Sequence, residues 1–247
     1  MKTTPIPSQP SAWPIMNRQL ERFATDLCRV VQEHSETKAA LREARLDTLL
    51  RLAAAAEYKD DDTGTHIVRM GHIAGLIAGS YGMGEEYCEN LQYAARMHDI
   101  GKIGVLDSVL KKPGPLTPDE WQVMKRHPEI GAALLADSDN ALFEMAAQIA
   151  LSHHEKFDGS GYPAGLKGSA IPLSGRIVAA ADFFDALTMD RCYRPAFPDE
   201  EALRMLREGA GSHFDPSVVK AFFQAKYQIL DARDRINSHG EASLLPV

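Results

Sequence analysis

Residues 177–187 read IVAAADFFDAL, an apolar helical run with the carboxylate Asp182 set inside it. An ionised carboxylate among Ala, Val and Phe side chains is costly to bury unless a partner meets it. A fold for this chain must therefore bring positive charge to the middle of a buried helix. Arg176 and Lys102 are candidate salt-bridge partners. A metal ion held jointly with histidines explains more residues together.

The rest of the chain reads as a series of helices with few strand signals. Ile67, Met70, Ala74, Ile77 and Ala78 form one apolar face; Leu91, Ala94, Ala95 and His98 form another. Leu142, Met145, Ala146, Ile149 and His153 share a third. Thr117-Pro118-Asp119-Glu120 has a Thr cap, Pro at the first helical position and Glu three residues after the cap, which together start a helix. Pro198-Asp199-Glu200 and Asp215-Pro216 open two more. The expected fold is all-α, a helical bundle with an N-terminal helical extension.

Residues 1–16 carry four prolines and are expected to be extended or disordered. Residues 17–50 are expected to form a helical linker or dimerisation helix. Leu20, Leu27, His34 and Leu41 recur every seven residues, with Phe23, Val30 and Val31 between them. The polar middle of that stripe (His34, Thr37, Lys38) leaves a coiled-coil dimer and a helix packed on the domain equally open. Residues 51–230 are expected to form the main helical domain, and 231–247 a loose polar tail. No repeat is evident.

Charge and cysteine usage exclude several classes. A net charge of −7 argues against a dedicated DNA or membrane-surface binder, though a metal and a few arginines can reverse the local field for an anionic substrate. Cys28, Cys88 and Cys192 are far apart, odd in number and in no CxxC pair, so neither a disulfide framework nor a zinc ribbon is indicated. No signal core or membrane-length apolar run is present, and a cytoplasmic protein is expected.

Five of the nine histidines, His66, His98, His127, His153 and His154, sit in chemically suggestive places, with Asp99 and Asp182 among them. Mixed imidazole and carboxylate donors suit Fe, Mn, Zn or Ni. Seven donors exceed the needs of one tetrahedral zinc. Two metals sharing a carboxylate use that number well, and such a pair activates water against a phosphate ester. Asp99, directly after one ligand, is the natural bridge. His72 lies about 240° around a helix from His66, so those two do not face one site. His34 lies in the leading helix and His239 in the tail, and His213, before a helix cap, is expected to anchor that turn.

These residues resemble the HD-GYP family, a branch of the HD metal-dependent phosphohydrolases. The motifs are HDIGK at 98–102, HHEKFDGSGYP at 153–163, DFFDAL at 182–187 and RCYR at 191–194. DDDTGTHIVRMG at 60–71 and MKRHPEIGAALL at 124–135 also match, in the expected order. The resemblance covers about residues 50–230.

The resemblance implies hydrolysis of cyclic di-GMP, a bacterial second messenger, to pGpG, GMP or both, through a hydroxide bridging two metals. It implies that His66, His98, Asp99 and Asp182 hold one ion, and that Asp99, His127, His153 and His154 hold the second. Fe or Mn is expected first, with Ni or Zn as alternatives. Lys102 would contact the scissile phosphate or the nucleophile, and Arg191 and Arg194 would bind phosphates. Tyr162 would pack beneath its loop, the favoured role, or reach substrate.

One position departs from part of the family. Asp62 stands where some members carry Glu, one methylene longer, which puts a third ion in doubt. No receiver or sensory domain is recognised, so regulation is expected through the leading helix, dimerisation, signalling-protein partners or metal redox state. A hydrolase for another cyclic dinucleotide or nucleotide and a non-catalytic binding module are the alternatives. Full occupancy of the ligand positions argues against the module.

Overall fold

A computed structural model of the chain describes residues 13–59, 65–136, 140–190 and 195–239. Residues 1–47 and 48–247 form two compact units. The first contributes most of helix α1 (Trp13–Lys59), which begins within the stretch expected to be extended. Pro14 falls in its first turn, where a missing N–H costs no helical hydrogen bond. In this unit Met16, Leu20, Phe23, Leu27, Val30, Val31 and Leu41 are exposed.

In the second unit the end of α1 is followed by α2 (Thr65–Tyr81), α3 (Glu85–Ala95), a 3-10 turn (Ile100–Gly104) and α4 (Asp107–Leu110). Then come α5 (Pro118–Met124), α6 (His127–Leu135), α7 (Ala141–Ser152), α8 (Leu173–Thr188), α9 (Asp199–Glu208) and α10 (Pro216–His239). Among the described residues there is no strand, only an isolated bridge between Ala210 and Phe214. The all-α expectation holds.

Helix α2 packs against α3, α8 and α10, and α7 against α3, α6 and α8. The apolar stripe of α2 is buried as its spacing predicts: Met70, Ile73, Ala74, Ile77 and Ala78 are at 0% exposure. Each fully buried Ile or Met contributes roughly 1.5–3 kcal/mol. Thr117 forms the full capping box, its hydroxyl accepting from the Glu120 N–H while the Glu120 carboxylate accepts from the Thr117 N–H.

Two local expectations change. Helix α3 stops at Ala95, so His98 lies in the turn that follows. The C-terminal region is no loose tail from 231: α10 continues to His239. Ile229, Ala232, Arg233 and Ile236 keep one side of it buried, and the Arg233 guanidinium pairs with Asp199 at the start of α9. The polar composition of this stretch describes only its outer face.

Candidate metal centre

Five segments deliver the donors. His66 stands in the first turn of α2, and His98 and Asp99 in the turn after α3. His127 opens α6, His153 caps the end of α7 with His154 next, and Asp182 lies in α8. They form two groups, His66/His98/Asp182 and Asp99/His127/His153/His154, each offering donor atoms within 4.8 Å of one another.

Asp99 lies between the groups. Its Oδ2 is 3.2 Å from His98 Nε2 and 2.7 Å from Lys102 Nζ. Its Oδ1 is 3.2 Å from His127 Nε2 and 3.5 Å from His153 Nε2. Asp182 Oδ1 is 3.4 Å from His66 Nε2 and 3.9 Å from His98 Nε2. The salt-bridge alternatives for Asp182 are both engaged elsewhere: Arg176 pairs with Asp215, and Lys102 with Asp99.

Hydrogen bonds on the far side of each ring fix which nitrogen faces inward. Nδ1–H of His98 donates to Ala95 O, that of His127 to Met124 O, and that of His153 to Ile149 O and Ala150 O. His66 Nδ1 is 2.7 Å from Asp185 Oδ2. With the proton on Nδ1, each Nε2 presents a lone pair to the centre, as metal-binding histidines do. The Nε2 atoms of His127 and His153 then face each other at 3.5 Å, which is repulsive without a cation nearby. His98 Nε2 and Asp99 Oδ1 are buried with no hydrogen bond of good geometry. Orphaned, converging lone pairs of this kind fit divalent ions.

The electrostatics agree. Burial by itself would raise the Asp99 carboxyl, but Lys102 and His98 hold it well below the usual range. Asp182 is likewise opposed by burial and held ionised by His66 and His98. Burial lowers His153 and His154, keeping both neutral. Burial would also lower His66 and His98. Their carboxylate neighbours outweigh it and raise both.

Four supporting residues, Asp185, Arg69, Lys59 and Glu155, escaped the sequence reading. Asp185, fully buried, accepts from His66 and from a fork of Arg69, whose Nη1 also reaches Asn237 in α10. Lys59 Nζ donates to the carbonyls of Lys102, Ile103 and Val105, closing the 3-10 turn that carries Lys102. Glu155, buried directly after His154, accepts from the N–H groups of Ala164 and Leu166. Arg69 and Asp185, three residues from a ligand, and Glu155, next to one, had a faint signal; Lys59 had none.

Glu155 folds the glycine-rich segment back on the histidines. The Phe157 and Asp158 N–H groups donate to His213 O and Ser212 O, backbone bonds that tie the loop to the 212–213 turn without using the His213 side chain. Gly159 takes φ +89°, open to glycine, whereas Gly161 is needed for closeness: a Cβ there would lie 2.3 Å from Lys156 N. The loop sets the Tyr162 ring flat on His154, centroids 4.7 Å apart. Similarly, a Cβ at Gly101 would meet His127 O at 1.9 Å, so only glycine lets the Lys102 turn abut α6.

Seven expected ligands thus come together, with Lys102 beside Asp99 and Tyr162 at the edge. Asp62, Arg191 and Arg194 lie outside the described residues. His72 bonds with Gln92 and is in neither donor group. No helix among the described residues is long and apolar enough to cross a membrane.

Comparison with known proteins adds a family. The HD domain model matches residues 33–218. The cyclic di-GMP phosphodiesterase response regulator RpfG of Xanthomonas campestris pv. campestris is 45% identical over 230 residues, 87% of this chain and 61% of that protein. A cyclic di-GMP phosphodiesterase of Thermotoga maritima is 45% identical over 188 residues, 74% of this chain and 51% of its own length. The 3'3'-cGAMP-specific phosphodiesterase 2 of Vibrio cholerae is 40% identical over 184 residues, 74% of this chain and 35% of that protein. The chain therefore spans between about a third and three fifths of these relatives. A crystal structure of a cyclic GMP-AMP specific phosphodiesterase from V. cholerae shares the fold, with TM-score 0.58 and 22% identity over 82% of this chain and 55% of that one.

Proposed function

The chain belongs to the HD domain family, and we propose that it is a metal-dependent phosphodiesterase hydrolysing cyclic di-GMP to pGpG, GMP or both. The observation that carries this reading is Asp99, set between two donor groups with one oxygen toward each. His66, His98, Asp99 and Asp182 would hold one divalent ion, and Asp99, His127, His153 and His154 the other. Fe or Mn suits this imidazole–carboxylate set, with Ni or Zn as alternatives. Bound there, the ions would supply Lewis acidity toward the phosphate and activation of water.

The chain's own residues prepare that chemistry. The backbone carbonyls and Asp185 keep the Nδ1 protons outward, so the rings cannot turn. Lys102, 2.7 Å from Asp99, would offer its ammonium to the charge that develops on phosphate oxygens. Burial of His98, His127 and His153 excludes bulk water, which strengthens each of these interactions.

Arg191 and Arg194 as phosphate ligands, and Asp62 near a third ion, rest on the motif match alone. Residues 51–230, extended to 239 by α10, form the proposed catalytic domain. Residues 17–50 are its linker or dimerisation helix, and signalling proteins are further partners. A cytoplasmic location in a bacterium would go with that substrate. A second reading, another cyclic dinucleotide, is favoured by the similarity to cGAMP-specific relatives. Anaerobic purification, metal analysis and turnover of cyclic di-GMP and cyclic GMP-AMP with product identification test both. A loaded protein that cleaves neither would overturn the proposal.

A further inference from the structure

Beside the second donor group lies a set of side chains that ligand holding does not explain. Trp121, in α5, is 43% exposed, a large ring left in solvent at the edge of a buried polar centre. Its centroid is 6.3 Å from that of Tyr162, edge to face, and Tyr162 is itself stacked on His154. Lys125, two residues before His127, holds its ammonium 5.8 Å from the Trp121 centroid and 5.4 Å from the Tyr162 centroid. Among the described residues Lys125 has no carboxylate partner. Two rings and a cation shared between them thus border the ions' site.

We propose that Trp121, Tyr162 and Lys125 form a base-recognition platform that takes a purine of the substrate and favours guanine over adenine. This rests on the phosphodiesterase reading. An exposed aromatic face gains by stacking on a base, commonly about 1–3 kcal/mol per base. Stacking alone does not discriminate. The ammonium does, because guanine presents the O6 and N7 acceptors along one edge, whereas adenine presents an N6 donor there. The lysine attracts the first edge and repels the N–H of the second. A phosphodiester at the ions and a base on Trp121 would then be held by one continuous wall, His154 to Tyr162 to Trp121.

The test uses the full chain loaded with metal. In a Trp13→Phe background Trp121 is the remaining tryptophan, and GMP is expected to quench its fluorescence at lower concentration than AMP, with ribose 5-phosphate ineffective. Trp121→Ala should raise KM for cyclic di-GMP about tenfold with a smaller change in kcat. Its loss in kcat/KM should be at least ten times larger for cyclic di-GMP than for base-free methyl p-nitrophenyl phosphate. Trp121→Phe should restore most of the loss, because a ring remains. Lys125→Met should cut the preference for cyclic di-GMP over cyclic di-AMP about tenfold.

Equal losses in the Ala and Phe variants would assign Trp121 to helix packing and overturn the platform, as would an unchanged guanine preference in Lys125→Met. The two levels fail separately. Quenching by GMP in a loaded protein that cleaves no cyclic dinucleotide would sink the phosphodiesterase reading and support the platform. Cleavage without quenching would do the reverse.

Discussion

The two donor groups share Asp99 as neighbour but are supported differently. His66 leans on a buried carboxylate, Asp185, backed by Arg69, and faces a second carboxylate in Asp182. His127 and His153 lean on neutral backbone carbonyls of their own helices or turns. Carboxylates make His66 and His98 more basic, while burial leaves His153 and His154 less so. The first group is therefore an electrostatic trap for any cation, proton included. The second is a neutral cage preset by local backbone geometry.

Asp99→Ala should erase the difference altogether. Both groups lose the carboxylate they share, so metal loading and hydrolysis should fall together, activity by at least roughly a hundredfold. Elemental analysis alongside turnover checks this, and a metal-free variant with full activity would sink the two-ion account. Asp185→Asn should strike one group only. Removing a partner of this kind typically costs about 10–100-fold in metal affinity. It also leaves the Arg69 guanidinium buried against a neutral amide, with a stability loss of about 3–5 kcal/mol. Stoichiometry should drop toward one ion per chain; loss of both would show the groups are not separable.

Acid should separate the groups in the same order. Metal binding needs neutral imidazole, and a raised pKa means protons compete from a higher pH. On stepwise dialysis to lower pH, one ion should leave before the other. Simultaneous release would contradict the distinction. Glu155→Gln should act more weakly, at the rim of the second group. The Ala164 and Leu166 N–H groups each use one carboxylate oxygen. The amide keeps one such bond, now to a neutral acceptor, and loses the other because its NH2 cannot accept, a change of about 1–3 kcal/mol. Faster amide exchange over residues 156–168 with ions retained is the expected signature.

The smallest effect lies outside the ligands. Burial pushes His213 down to about 4. The unfolded chain, with histidine near its ordinary 6.5, binds more protons between those values, so stability falls as pH drops through that window. His213→Phe should flatten thermal stability between about pH 4 and 6.5.

Much of this comparison was legible before any coordinates. Asp182 inside an apolar run demanded a cationic partner, and the spacing of HDIGK and HHEKFDGSGYP set out the donors. Their supports were not legible, because each joins distant segments. Asp185 meets His66 across 119 residues, and Lys59 reaches carbonyls 43–46 positions away. The end of α10 misled for a related reason. Its exposed residues are polar, but Ile236 and Arg233 are buried and Asn237 reaches Arg69, which composition cannot reveal.

Sequence alone determined the helical class and singled out the candidate donors, because periodicity and ligand chemistry are properties of residues and their neighbours. The close approaches that require Gly101 and Gly161 appear only in the fold. Tertiary structure supplied the distances that gather the donors, which nitrogen of each ring faces inward, and which Asp99 oxygen turns toward which histidines. Those depend on where α2, α6, α7 and α8 cross, and a distance of 3 Å between side chains far apart in the chain exists only once the helices have packed.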